Sequence, residues 1–157
     1  MLKKLLERIK KKPWYMRFLL NTYPPYLGAG VKTVYVSPDF RKVEVKLPLR
    51  WYNRNYVGTH FGGNLYTMVD PFFMLMLIRN LGPQYIVWDQ SAEIKFFKPG
   101  TGTVTAKFEI TEQELEEIRQ RVKEEKVYRP IFTVNILNEN GEVVAVVKKV
   151  LYVRLKQ

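Results

Sequence analysis

The chain has 157 residues, 46% hydrophobic and 14% aromatic, which fits one domain with a sizeable core and excludes a disordered composition. It has no cysteine, which excludes a disulfide framework, thiolate metal sites and a cysteine nucleophile, and makes a reducing cytoplasm the expected localisation. Of the formal net charge of +11, residues 1–20 carry +6, so anionic partners are open (phosphate-bearing molecules, nucleic acid, a membrane surface) beside a merely solvated basic surface.

Residues 2–12 read as a short amphipathic helix, with Leu2, Leu5, Leu6 and Ile9 on one face and Lys and Arg on the other. This spacing is not the apolar block of a secretory signal. Four apolar residues would support only weak contact with an anionic membrane. Pro13 ends the helix, and a second short helix is expected over 14–21. Pro24-Pro25 is expected to stop helix, with Gly28 and Gly30 leading to the sheet. Residues 1–26 are therefore a basic helical leader and 27–157 the main domain.

Strands are predicted at 31–37 and 41–48, joined by a turn at Pro38-Asp39. In the second, Val43, Val45 and Leu47 alternate with Lys42, Glu44 and Lys46, the pattern of a half-buried antiparallel strand. A polar aromatic loop over 49–61 leads to Gly62-Gly63. One apolar helix is expected from there to about Leu81, closed by Gly82-Pro83. Its apolar run over 65–78 contains Asp70 and Pro71, is too short for a membrane span, and reads as a buried core helix.

Strands at 85–97 and 103–110 follow, joined by a turn at 98–102. Thr111 and Glu114 then have the spacing of a capping box, opening a helix whose apolar stripe is Leu115, Ile118 and Val122. The last strands, at 129–137 and 143–155, flank Asn140-Gly141, a hairpin signal. The final strand is apolar on both faces near its start, so it is expected to be central in the sheet or at an interface. The fold class is α+β: an antiparallel sheet of about six strands around a central apolar helix, with one extra helix between strands 4 and 5.

Glycines at a helix start leave backbone N–H groups without intrahelical partners, a setting that can hold a carbonyl oxygen gaining negative charge in acyl transfer. Asp70 lies two helical turns beyond Gly63, roughly 10 Å along an axis. That is far for joint action within one chain, but neighbouring helices can meet across a dimer. Asp70-Pro71 is equally the signature of an N-cap followed by proline, where the helix restarts or kinks. His60, the only histidine, is a base or ligand candidate or a hydrogen-bonded loop residue. One histidine and no cysteine disfavour a zinc site. Lys95 and Lys98 could meet phosphates as point charges or simply face solvent. The loop 50–54 mixes arginine and aromatics, as base-stacking surfaces and subunit interfaces both do, but no motif points to nucleic acid.

The stretch Asn55 to Pro71 resembles the hotdog-fold thioesterase superfamily, many of whose members carry His-Gly-Gly at the start of the central helix and a catalytic Asp or Glu seven residues past the second glycine. Gly62-Gly63 and Asp70 match this interval. Residues 95–104 are similar to the superfamily's strand–turn–strand. The run with Gly58-Thr59 and Asp70-Pro71 looks closest to an acyl-CoA-thioesterase-like branch described only as a domain of unknown function. The chain departs from the pattern at Phe61, which separates His60 from the glycines. The resemblance implies a hotdog fold and hydrolysis of an acyl-CoA thioester, with Asp70 as general base or nucleophile. Gly63 would polarise the carbonyl, assisted by Gly62, and His60 stands near the usual histidine position. Asn55, Asn64 or Gln90 would orient water or the pantetheine arm, and Lys95 and Lys98 would meet coenzyme A phosphates. It implies no cofactor beyond coenzyme A as part of the substrate, and a homodimer or dimer of dimers. The alternative is a hotdog module that binds an acyl or lipid ligand without turnover.

Overall fold

The fold comes from a computed structural model, which describes residues 12–156. The leader helix expected over 2–12 lies, except for Lys12, outside the described residues.

Helix α1 spans Pro13–Thr22 and α2 spans Pro24–Ala29. The second was not expected. Pro24-Pro25 does not stop helix here but starts it, because a proline at the first helical positions gives up an N–H that has no partner there anyway. Gly30 closes α2 with φ +82°, and a side chain there would strike Asn53 and Tyr52. Asn21 fixes α1 to the sheet. Its amide donates to the Thr33 carbonyl at 3.0 Å, and its Oδ1 accepts from the Thr33 N–H at 2.8 Å.

The strands are β1 Lys32–Val36, β2 Lys42–Pro48, β3 Tyr85–Phe96, β4 Thr103–Glu109, β5 Val127–Tyr128, β6 Ile131–Leu137 and β7 Val143–Leu155. They form one seven-stranded antiparallel sheet in the order β1-β2-β4-β6-β7-β3. The two-residue β5, which the alternation pattern was too short to reveal, pairs with β7 beyond the end of β6. β7 is central, as its apolar character implied, and β3 forms one margin of the sheet.

The sheet's inner face carries Val43, Val45 and Leu47 of β2, Val104, Ala106 and Phe108 of β4, Val134 and Ile136 of β6, and Val147, Leu151 and Val153 of β7, all buried. Against it lies α4, Phe72–Leu81, which buries Phe72, Phe73, Met76, Leu77 and Leu81. Phe73 stacks on Phe132 with ring centres 4.6 Å apart and meets Phe108 edge-on at 5.2 Å. Each such side chain contributes about 1.5–3 kcal/mol by leaving water. Helix α5, Glu112–Glu125, covers a further part of the core with Leu115, Ile118 and Val122, and the Thr111–Glu114 capping box closes its N-terminus.

The single helix expected from Gly62 to Leu81 is instead two. α3 spans Gly62–Thr67, a turn follows, and α4 begins at Phe72. The Val69 N–H tightens onto the Tyr66 carbonyl at 2.9 Å. Pro71 has no N–H to continue the ladder. The Leu75 N–H restarts it on the Pro71 carbonyl at 2.9 Å. The N-cap of α4 is Pro71, with no side-chain capping bond, so Asp70 is not the cap. It stands in the break with its carboxylate committed elsewhere.

Candidate functional site

Alternation along β7 decides where Lys149 goes. Ala145, Val147, Leu151 and Val153 all point inward and are buried, and Lys149 falls on the same phase, with its side chain 0% exposed. Its Nζ reaches Asp70 Oδ1 at 3.0 Å, the Tyr66 hydroxyl at 3.1 Å and Asp89 Oδ1 at 3.2 Å. It also lies 5.2 Å from the centre of the Tyr66 ring. Asp70 is 48% exposed and Asp89 23%. The ammonium thus forms the floor of a cluster whose carboxylates open outward.

Asp89 reaches this cluster from β3, next to a bulge between Asp89 and Ser91. Burial pushes its carboxyl up, the Lys149 ammonium pulls it back only in part, and the charge of Asp70 pushes the same way as burial. For Lys149, burial favours the neutral form, but the bonds to Tyr66 and Asp70 and the charge of Asp89 outweigh it, and the amine is held above its ordinary value. Burial raises the Tyr66 hydroxyl, and Asp70 adds to the effect. Tyr26, in α2, is raised by burial and then by the charge of Asp70.

A groove of about 450 Å³ lies by the start of α3, lined by Asn55, His60, Gly62, Leu65, Phe96 and Lys98 among others. Asn55 shapes its rim. Its Oδ1 accepts from the Val57 and Thr59 N–H groups, and its amide donates to the Thr59 hydroxyl at 2.9 Å. His60 is 3% exposed. Its Nε2–H donates to the Gly102 carbonyl at 2.9 Å, and its backbone N–H to the Gly100 carbonyl at 2.9 Å. Burial pushes the ring's pKa down, partly opposed by the Gly102 bond. Nδ1 is buried without a partner among the described residues. Gly62 faces the Phe96 ring, and a side chain on Gly63 would collide with the Phe61 ring.

Asn55, His60, Gly62 and Lys98 therefore share the groove, with Gly63 beside it in an exposed position. Lys98 also pairs with Glu142. Asn64 donates to the Asn53 carbonyl at 3.2 Å, bracing the loop. Asp70 stands in the Lys149 cluster, at the other end of α3. Gln90 is in neither place: its Oε1 accepts from Arg129 Nε at 2.8 Å, on the face of the sheet where Trp88 stacks on Tyr152. Lys95 pairs with Glu93 at 3.3 Å, beside Thr133, Val146 and Lys148. Lys149, Asp89 and Tyr66 were not read from the sequence. The signal for two of them was the strand phase, which puts Lys149 among inward valines and Asp89 two residues past the buried Val87. Among the described residues, no group of three or more His, Cys, Asp or Glu is placed to hold a metal ion, and no helix is long and apolar enough to cross a membrane.

Residues 12–153 match the family described as a domain of unknown function, DUF4442. The chain belongs to this family. No curated protein sequence matches it. Among solved structures, this DUF4442 chain is similar to PA5026 of Pseudomonas aeruginosa, described as a probable thioesterase, with a TM-score of 0.77 and 17% identity over 89% of this chain and 93% of that one. It is also similar to the thioesterase HI1161 of Haemophilus influenzae, with a TM-score of 0.67 and 14% identity over 92% and 91% of the two chains. A protein from Chlorobaculum tepidum gives a TM-score of 0.72 at 16% identity, over 94% and 99%. At these identities the likeness is one of fold. The DUF4442 chain has the hotdog fold, its antiparallel sheet wrapped on the helix that holds Phe72 and Phe73.

Proposed function

We propose that this protein is an acyl-CoA thioesterase with Asp70 as its general base. The observation that carries this reading is the half-exposed Asp70 carboxylate, seven residues past Gly63 and fixed at one oxygen by Lys149. A water molecule attacks the thioester carbonyl carbon while Asp70 takes a proton from it. The tetrahedral oxyanion is met by the backbone N–H groups of Gly62 and Gly63, the first in α3 and free of intrahelical bonds. The C–S bond then breaks, and the proton passes from Asp70 to the departing thiolate, leaving a carboxylic acid and coenzyme A. Lys98 at the groove rim would meet a coenzyme A phosphate, exchanging its bond to Glu142 for the stronger anion.

Six residues of helix span about 9 Å, and α3 separates Gly63 from Asp70 within one chain. This supports a site shared between two copies, in which the Gly62-Gly63 end of one subunit approaches Asp70 of the other. The sheet offers a place for that pairing: β3, 12 residues long and largely exposed at the margin. Thiol release from a panel of acyl-CoAs tests the activity, with Asp70→Asn as the decisive variant. Turnover that survives this change removes Asp70 from the reaction. Light scattering that finds a stable monomer at micromolar concentration removes the shared site.

A second reading has one observation in its favour. The Asp70 carboxylate is already engaged by a buried ammonium, which suits a structural ion pair in a module that only holds an acyl ligand. Native mass spectrometry separates the two: a retained lipid without turnover supports the binding module, and turnover with no retained ligand rejects it.

A further inference from the structure

We infer that Lys149 is a positioning residue of this site: its buried ammonium holds the Asp70 carboxylate in place and couples it to a second carboxylate, Asp89. The inference rests on the reading of Asp70 given above and adds two residues to it.

Three elements converge on one nitrogen. Asp70 comes from the turn between α3 and α4, Tyr66 from α3 and Asp89 from β3, and all three polar atoms lie 3.0–3.2 Å from Lys149 Nζ. Lys149 is the only Lys, Arg, Asp or Glu among the buried described residues. Removing an ammonium from water is costly even when it is paired, and a well-packed apolar side chain of the same length is often neutral or stabilising in its place. Stability alone therefore gives no reason for a lysine at this position. A fixed charge beneath a half-exposed carboxylate does. Unanchored, Asp70 could turn about χ1 and χ2, and misplacing a base by about 1 Å costs on the order of 100-fold in rate.

Asp89 makes the arrangement asymmetric. Two carboxylates share one ammonium, so the cluster carries one negative charge in excess when both are ionised. Asp89 is the more enclosed of the two, and its Oδ1 lies within ion-pairing distance of Nζ without a directed hydrogen bond. Burial raises its carboxyl. The titratable groups facing the cluster are thus Asp70, Asp89, Tyr66, Lys149 and, from α2, Tyr26.

The test combines kinetics with a readout that does not need turnover. Lys149→Met, Lys149→Arg and Asp89→Asn are compared with the wild type in thiol release from acyl-CoA across pH. The 13C signals of the Asp70 and Asp89 carboxyl carbons are followed in the same proteins. Lys149→Met is expected to keep KM, to lose kcat by about 10- to 100-fold, as for a lost charged hydrogen bond, and to move the acid limb of the pH profile upward. Lys149→Arg is expected to restore part of the loss, and both carboxyl signals should move in Lys149→Met. Wild-type kcat and pH profile in Lys149→Met, with Asp70→Asn inactive, would overturn the inference while leaving the thioesterase reading intact. If the wild type releases no thiol, the thioesterase reading fails, and an Asp70 signal unchanged in Lys149→Met then overturns the inference as well. If Lys149→Met does not fold, Lys149→Arg and Asp89→Asn decide: Asp70 signals identical to wild type in both reject the coupling, and shifted signals support it.

Discussion

Lys149 and Asp70 are 79 residues apart in sequence and 3.0 Å apart in the fold, one fully buried and the other half exposed. The pair closes only because β7 lies inside the sheet, beside the marginal β3, and the α3–α4 break points Asp70 at β7. A double-variant cycle with Asp70→Asn and Lys149→Met, read by chemical denaturation, should give a coupling of about 1 kcal/mol. That value lies low in the range for contacting residues because water screens the half-exposed partner. A coupling of zero would mean that the two groups do not interact in solution.

Asn53 holds the loop before α3. It is buried; its amide donates to the Ala29 and Pro48 carbonyls at 2.9 Å each, and its Oδ1 accepts from the Arg50 N–H at 2.7 Å. Asn53→Ala strands three buried or part-buried backbone groups and should cost about 2–3 kcal/mol in urea unfolding. The loop's backbone amides should also exchange with deuterium faster than in the wild type.

Phe73 is the centre of the aromatic core between Phe108 and Phe132. Phe73→Ala should lower unfolding free energy by about 3–5 kcal/mol, and Phe73→Leu by clearly less. A loss below about 1 kcal/mol for the alanine variant would show that the helix does not pack on the sheet as described.

His60 gives a pH-dependent term with a definite sign. Burial holds its folded-state pKa below 6.5, so the unfolded chain binds the proton more readily. The stabilising contribution is complete above about pH 6.5 and is lost as pH falls from there through the folded-state value. The stability difference between wild type and His60→Gln should therefore shrink on going from pH 8 to pH 5. A difference that grows would mean that the ring is charged in the fold.

Thr111→Ala tests the capping box. Thr111 Oγ1 accepts from the Glu114 N–H at 3.2 Å, and Glu114 accepts from the Thr111 N–H at 2.7 Å. The loss should be about 1 kcal/mol, with faster hydrogen exchange confined to the first turn of α5.

Much of this arrangement is local and was therefore readable along the chain. Strand alternation placed Val43, Val45 and Leu47 on the buried face, because successive strand side chains point to opposite sides whatever the partner strand is. Thr111 and Glu114 announced a helix start, since a capping bond joins residues three apart. Asn140-Gly141 announced the last hairpin for the same reason. Apolar periodicity found the core helix but not its interruption: Phe72 and Phe73 continue the apolar run, while the break follows from the N–H that Pro71 lacks. α2 was missed because the same proline chemistry both ends and begins helices, and only the packing of Tyr26 and Ala29 chose between them.

The site divides along the same line. The sequence by itself determined the Gly63–Asp70 interval, the superfamily it resembles and the position of His60 just ahead of the glycines. Gln90 bonds to Arg129, while its neighbour Asp89 reaches Lys149. The side to which each points depends on a bulge and on Arg129, which bonds to Gln90 from the link between β5 and β6. Lys149, Asp89 and Tyr66 came together only in the tertiary structure. No local rule brings an ammonium on β7 to carboxylates from a helix break and from the neighbouring strand, because that contact exists only once strands distant in sequence have paired.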